Sequence, residues 1–185
     1  QRLADVTSRD ELMALSSTDE AKAAAEMMKA GLDMLDSEDA APSAGLEITD
    51  HTFKSSPDGN VVNLRLIKPE GAGNLPCVYY IHGGGMVALS CYFGNYKAWG
   101  RVMAAAGMAV AMVDFRNAQF PSSVPEVAPF PAGLNDCISG LKWLSEMAPQ
   151  LGIDPARIIL AGESGGGNLT LSTAMSLKAE GTLDQ

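Results

Sequence analysis

Arg157-Ile158-Ile159-Leu160-Ala161-Gly162-Glu163-Ser164-Gly165-Gly166-Gly167-Asn168 is the stretch that decides the architecture. Arg157 to Leu160 reads as a short strand buried on both faces, and Ser164 to about Ala179 follows a helical pattern. Between them stands Gly162-Glu163-Ser164-Gly165-Gly166, a G-x-S-x-G at a strand-to-helix junction. Such a junction must turn sharply, lifting the serine hydroxyl above a sheet, and glycines on either side spare it a collision with neighbouring backbone. The turn also places Ser164 at a helix N-terminus, where free amides and the helix dipole favour developing negative charge. Ser164 is thus the candidate nucleophile.

Upstream, Cys77 to Ile81 is a second continuous apolar run, and it ends in His82-Gly83-Gly84-Gly85. Acyl transfer builds an oxyanion that pre-aimed amide donors stabilise by about 3 to 4 kcal/mol apiece. A glycine run allows close backbone approach, so Gly83, Gly84 and Gly85 are candidate donors, with the amide of Gly165 as the further one. His82 reads either as a brace for this loop or as a base. Its place at a strand end before glycines favours the brace. Glu163 is a supporting residue that orients the turn or lines the pocket.

The rest of the chain supplies the frame. Ser8-x-x-Glu11 and Ser17-x-x-Glu20 are capping-box patterns, the second opening an Ala- and Met-rich helix from about Asp19 to Leu35. Met27, Met28 and Met34 make this helix either an apolar wall over a site or an ordinary core face. After a linker, Ser37 to Gly45, the period becomes two. Ile48 to Lys54 and Val61 to Lys68 flank the turn Pro57-Asp58-Gly59-Asn60, which predicts a β-hairpin. Helices over about Asn95 to Ala106 and Ala132 to Met147 then alternate with the strands Met108 to Val113 and Arg157 to Leu160. The expected fold class is α/β: a mostly parallel sheet with an antiparallel N-terminal hairpin and helices on both faces. The expected division is a helical cap segment over 1–45 and a sheet domain over 46–185.

With both glycine motifs in place, the chain resembles the hormone-sensitive-lipase-like (HGGG) branch of α/β-hydrolase serine esterases. Asp114-Phe115-Arg116-Asn117 stands where that family has a D-Y-R-L-type stretch, and Phe130-Pro131-Ala132-Gly133 with Asp136 matches its F-P-A…D segment. The turn departs from the usual G-D-S-A-G-G, and the D-F-R-N and G-E-S-G-G-G-N forms lie closest to the brefeldin A esterase-like subgroup. The resemblance covers about Ile48 to Ala179. It implies the α/β-hydrolase fold, an ester hydrolase working through an acyl-enzyme on Ser164, short-chain esters as substrates, and no metal or organic cofactor. It also implies that Arg116 and Asp136 form a structural ion pair.

That family orders its triad serine, then acid, then histidine. The two histidines here, His51 and His82, both precede Ser164, and Asp184 follows it with no strand between. The sequence therefore reads as the N-terminal portion of a hydrolase whose partners are a small-molecule ester and the C-terminal remainder of the domain, with a homo-oligomer left open. Two other classes stay in view: a hydrolase-like ligand-binding protein without catalysis, and an inactive fragment of a nicked hydrolase.

Bulk properties narrow the field further. A net charge of −9 argues against nucleic acid or an anionic membrane as partner. No apolar run approaches the roughly 20 residues of a membrane span, and Gln1 to Asp5 lack the apolar core of a signal peptide. Three cysteines without C-x-x-C or Cys/His clustering predict neither a zinc site nor a disulfide framework, and favour a reducing, cytoplasmic setting. Nucleotide-binding motifs are absent: there is no G-x-x-x-x-G-K-[ST] and no G-x-G-x-x-G.

Overall fold

Ala109–Asp114 (β4) is buried at all six positions, as befits a strand covered on both faces. In a computed structural model, which describes residues 6–182, it lies at the centre of a five-stranded sheet. Leu46–Lys54 (β1) and Val61–Pro69 (β2) form the expected antiparallel hairpin, and β2 also runs antiparallel to β4. Leu75–Ile81 (β3) pairs in parallel with both β4 and Ile153–Gly162 (β5). The order is β1-β2-β4-β3-β5.

The two-residue period of the central strands splits the core. Cys77, Tyr79 and Ile81 of β3 and Ala109, Ala111 and Val113 of β4 face Ala132–Leu151 (α4) and Gly165–Ala179 (α5). Tyr80, Val110 and Met112 point the other way, towards Gly94–Ala105 (α3). Every strand of the parallel part therefore ends at one edge, where open α/β sheets carry their sites.

Several boundaries differ from expectation. α4 continues four residues past Met147, through Pro149, and stops at Gly152 with φ +74°. A proline in the last turn forfeits one intrahelical bond, while the left-handed glycine provides the real stop. The N-terminal helices are Arg9–Ser16 (α1) and Asp19–Asp33 (α2). Ser8 Oγ accepts from Glu11 N at 3.2 Å, whereas the α2 cap is Thr18, not Ser17: Thr18 Oγ1 accepts from Ala21 N at 3.2 Å. No residue of α2 is buried, and Met27 and Met34 are 77% and 82% exposed, so the methionines are not a core face. Asp184 and the first five residues lie outside the described residues. Among those described, no helix is long and apolar enough to cross a membrane.

Candidate active site

The turn between β5 and α5 holds Ser164 at φ +53°, ψ −121°, a conformation rare for a residue with a Cβ. The surroundings over-determine it. Gly166 N donates to Glu163 O at 2.8 Å and Asn168 N to Ser164 O at 3.2 Å. Beneath the turn, a Cβ on Gly166 would stand 2.0 Å from Ile81 O, so only a glycine lets α5 start against the end of β3. Ser164 itself is exposed.

Opposite stands the His82–Gly85 loop. A Cβ on Gly165 would meet Gly85 N and Met86 N, each at 2.9 Å, so the residue after the serine packs against the backbone amides of this loop. Gly84, Gly85 and Met86 all have positive φ (+97°, +65°, +65°). The loop is closed by Val87 N and Ala88 N donating to Gly84 O.

Gly83 departs from the sequence expectation. Its N–H donates to Glu163 Oε1 at 2.8 Å and lies 3.1 Å from the Tyr96 hydroxyl, so it already has acceptors. Gly84 and Gly85 remain as the loop's candidate donors, together with Gly165.

His82 is fully buried and stacks on Phe115 with ring centroids 4.4 Å apart. Its Nδ1 sits 2.9 Å from Gly83 O, an atom that can only accept, so Nδ1 carries the proton. Nε2 is 3.7 Å from Asp114 Oδ1, too far for a hydrogen bond. Burial pushes the ring below the ordinary histidine value, against the pull of Asp114 and the bond to Gly83. The other histidine, His51, sits on β1 four strands from β5, bonded to Thr49 and against Trp143.

The loop after β4 backs the glycine loop. Ala118 N and Phe120 N donate to Met86 O and Val87 O, and Asn117 Nδ2 donates to Leu89 O at 2.8 Å. Asp114 receives Cys91 N and Ser123 N. The expected ion pair is present: Arg116 Nε and Nη2 reach the two oxygens of buried Asp136 at 2.9 Å each, and Nη2 also meets Asp58. Hydrogen bonding to Asp136 raises the Arg116 pKa despite burial. Beside Gly85 opens an apolar pocket of about 330 Å³, lined among others by Val87, Phe130, Leu134 and Leu169.

Tyr96, Asp114 and Asn117 are site-supporting residues that the sequence did not single out for these contacts. Tyr96 carries no local signal, being one aromatic residue in a helix. Asp114 and Asn117 belong to the D-F-R-N stretch, whose pattern names the residues but not their partners.

Comparison with known proteins agrees with this geometry. A sequence-family model described as alpha/beta hydrolase fold matches residues 78–184. Carboxylesterase NlhH of Mycobacterium tuberculosis is 40% identical over 97 residues, covering 52% of this chain and 28% of that protein. Hormone-sensitive lipase of Bos taurus is 31% identical over 132 residues, covering 70% of this chain and 16% of the lipase. The structure of esterase Est22 superposes with a TM-score of 0.95 at 57% identity, over 97% of this chain and 53% of that one. Brefeldin A esterase, described as a bacterial homologue of human hormone sensitive lipase, gives 0.72 at 35% identity, over 91% of this chain and 47% of its own. The chain thus spans about half the length of these solved structures and less of the curated relatives. Fold, motifs and relatives agree that the chain belongs to the α/β-hydrolase family, in its hormone-sensitive-lipase-like esterase branch.

Proposed function

We propose that the whole protein is a serine carboxylic-ester hydrolase with Ser164 as nucleophile. The observation that carries this reading is the strained, exposed Ser164 on a strand-to-helix turn, with Gly165 packed against the amides of Gly85 and Met86. Ser164 Oγ attacks the ester carbonyl carbon as its proton passes to a base. The carbonyl oxygen becomes an oxyanion, accepting from the amides of Gly84, Gly85 and Gly165. Collapse expels the alcohol, which takes the proton back, and water then releases the acid from the acyl-enzyme by the same steps. The base is a histidine beyond residue 185, supplied with its acid by the C-terminal remainder of the hydrolase domain. His82 is buried with Nδ1 bonded to Gly83 O, and His51 sits four strands away. No metal or organic cofactor takes part in these steps.

The pocket beside Gly85 supports short acyl chains as substrates, since it is apolar and near the lower size limit of ligand sites, about 300 Å³. The N-terminal segment read from the sequence over 1–45 acts as a cap on the catalytic domain, a role that its described residues 6–45 support. The exposed α2 methionines support this, as does the bond from Gln119 Nε2 to Ser16 Oγ, which ties the segment to the loop behind Met86. The buried free thiols Cys77, Cys91 and Cys137 are consistent with a cytoplasmic, reducing setting. Hydrolysis of p-nitrophenyl esters from acetate to decanoate tests the proposal. Turnover should favour the short chains and vanish in Ser164→Ala. Turnover that survives this substitution would refute the nucleophile, and binding without turnover would make the protein a ligand receptor.

A further inference from the structure

Glu163 immediately precedes the proposed nucleophile, so a carboxylate stands beside a site that must gather negative charge. Its Oε1 accepts two hydrogen bonds, from Gly83 N at 2.8 Å and from the Tyr96 hydroxyl at 2.7 Å. The Tyr96 oxygen in turn lies 3.1 Å from Gly83 N, so the three groups close a triangle. The carboxylate lies directly against the glycine: a Cβ at position 83 would stand 2.2 Å from Oε1. Tyr96 is 5% exposed, and its ring packs against His82 and Tyr80. Burial, with the Glu163 bond second, pushes its hydroxyl well above the ordinary tyrosine range, so it stays a donor. The triangle joins α3, the loop after β3 and the turn after β5, three elements that no local sequence pattern links.

We infer that Glu163 and Tyr96 are positioning residues, which fix the first peptide of the glycine loop so that Gly83 is withheld from the oxyanion and Gly84 and Gly85 are presented to it. The inference rests on the esterase reading for its kinetic consequence but not for its geometry. Hydrogen bonding by Oε1, rather than negative charge, is what the triangle uses. A glutamine, whose amide oxygen can accept both bonds, therefore preserves it, and an alanine does not.

The test compares Glu163→Ala, Glu163→Gln and Tyr96→Phe in the whole protein, with circular dichroism melts to show that each is folded. On p-nitrophenyl acetate, Glu163→Ala should lower kcat about 10- to 100-fold, with KM changed by less than about 3-fold, because a misplaced donor is felt in the transition state. Tyr96→Phe should fall between this variant and wild type, and Glu163→Gln should restore most of kcat. Hydrogen exchange gives the readout independent of turnover. The Gly83 amide should exchange at least about 10-fold faster in Glu163→Ala than in Glu163→Gln, with residues 77–81 unchanged. Equal exchange at Gly83 in the two variants, wild-type kcat in Glu163→Ala, or a Glu163→Gln variant as impaired as the alanine would overturn the inference. An unmodified protein that lacks turnover altogether would overturn the esterase reading instead, and the exchange comparison would still decide the clamp.

Discussion

Gly166 shows how tightly the turn at Ser164 is seated. The nearest obstacle to a side chain there is Ile81 O, a backbone atom of a central strand that cannot swing aside. Gly166→Ala should therefore destabilise the protein by about 1–3 kcal/mol or more and lower Tm by several degrees; an unchanged melt would contradict the packing described. His82 makes a second prediction at this scale. Its pKa is lowered in the folded protein, so below about pH 6.5, the unfolded value, the unfolded chain binds more protons than the native one. The stabilising contribution is present above that pH and is lost as the solution is acidified. Urea midpoints for wild type should fall between pH 7 and pH 5.5, and the fall should flatten in His82→Asn. An equal fall in both proteins would mean that other groups carry the dependence. The motifs themselves were readable residue by residue, because G-x-S-x-G and the His82–Gly85 run are contiguous. The commitment of Gly83 N was not, because its partners, Glu163 and Tyr96, are 80 and 13 positions away.

Strands and helices were readable from their periods, and the hairpin from its turn residues, since each signal is local; the burial of one strand was not, for Arg157 to Leu160, expected to be covered on both faces, lies on the edge strand β5 with Arg157 and Ile159 exposed. The misread ends have local physical causes too. Pro149 looks like a stop to α4, but the helix tolerates it in the last turn and ends at Gly152. Ser17 and Thr18 offer α2 neighbouring hydroxyls, and Thr18 supplies the cap. Between elements, the Arg116–Asp136 pair holds the loop after β4 to the first turns of α4 and, through Asp58, to the hairpin turn. Removing one partner of a buried pair leaves the other charge stranded, so Asp136→Ala should cost about 3–5 kcal/mol, read from chemical denaturation. A cost under about 1 kcal/mol would show that Asp58 suffices to satisfy the arginine.

Taken whole, the molecule brings its chemistry to one sheet edge: the loop after β3, the loop after β4 and the turn after β5 meet there. Among the described residues, α2 has none that is buried and meets α3 through polar contacts such as Gly94 N donating to Asp33 Oδ1 at 2.9 Å. Replacing Met27 and Met34 together by Lys should therefore leave Tm unchanged. If the segment is a cap, KM for an apolar ester should rise by up to about tenfold, 1.4 kcal/mol; a large drop in Tm with KM unchanged would make it a core element instead. At this scale the order of elements was legible from sequence, because alternating strands and helices leave few topologies. How the N-terminal helices sit was not, because an Ala- and Met-rich helix reads alike whether its apolar side faces a core or a site. The proposed chemistry at this edge requires Ser164 to be an activated nucleophile. The most direct measurement is reaction of the whole protein with a fluorophosphonate, followed by intact and peptide mass spectrometry. One phosphonyl group per chain, mapped to Ser164 and absent from Ser164→Ala, is the predicted result. A folded protein that stays unlabelled, or carries the label elsewhere, would contradict it.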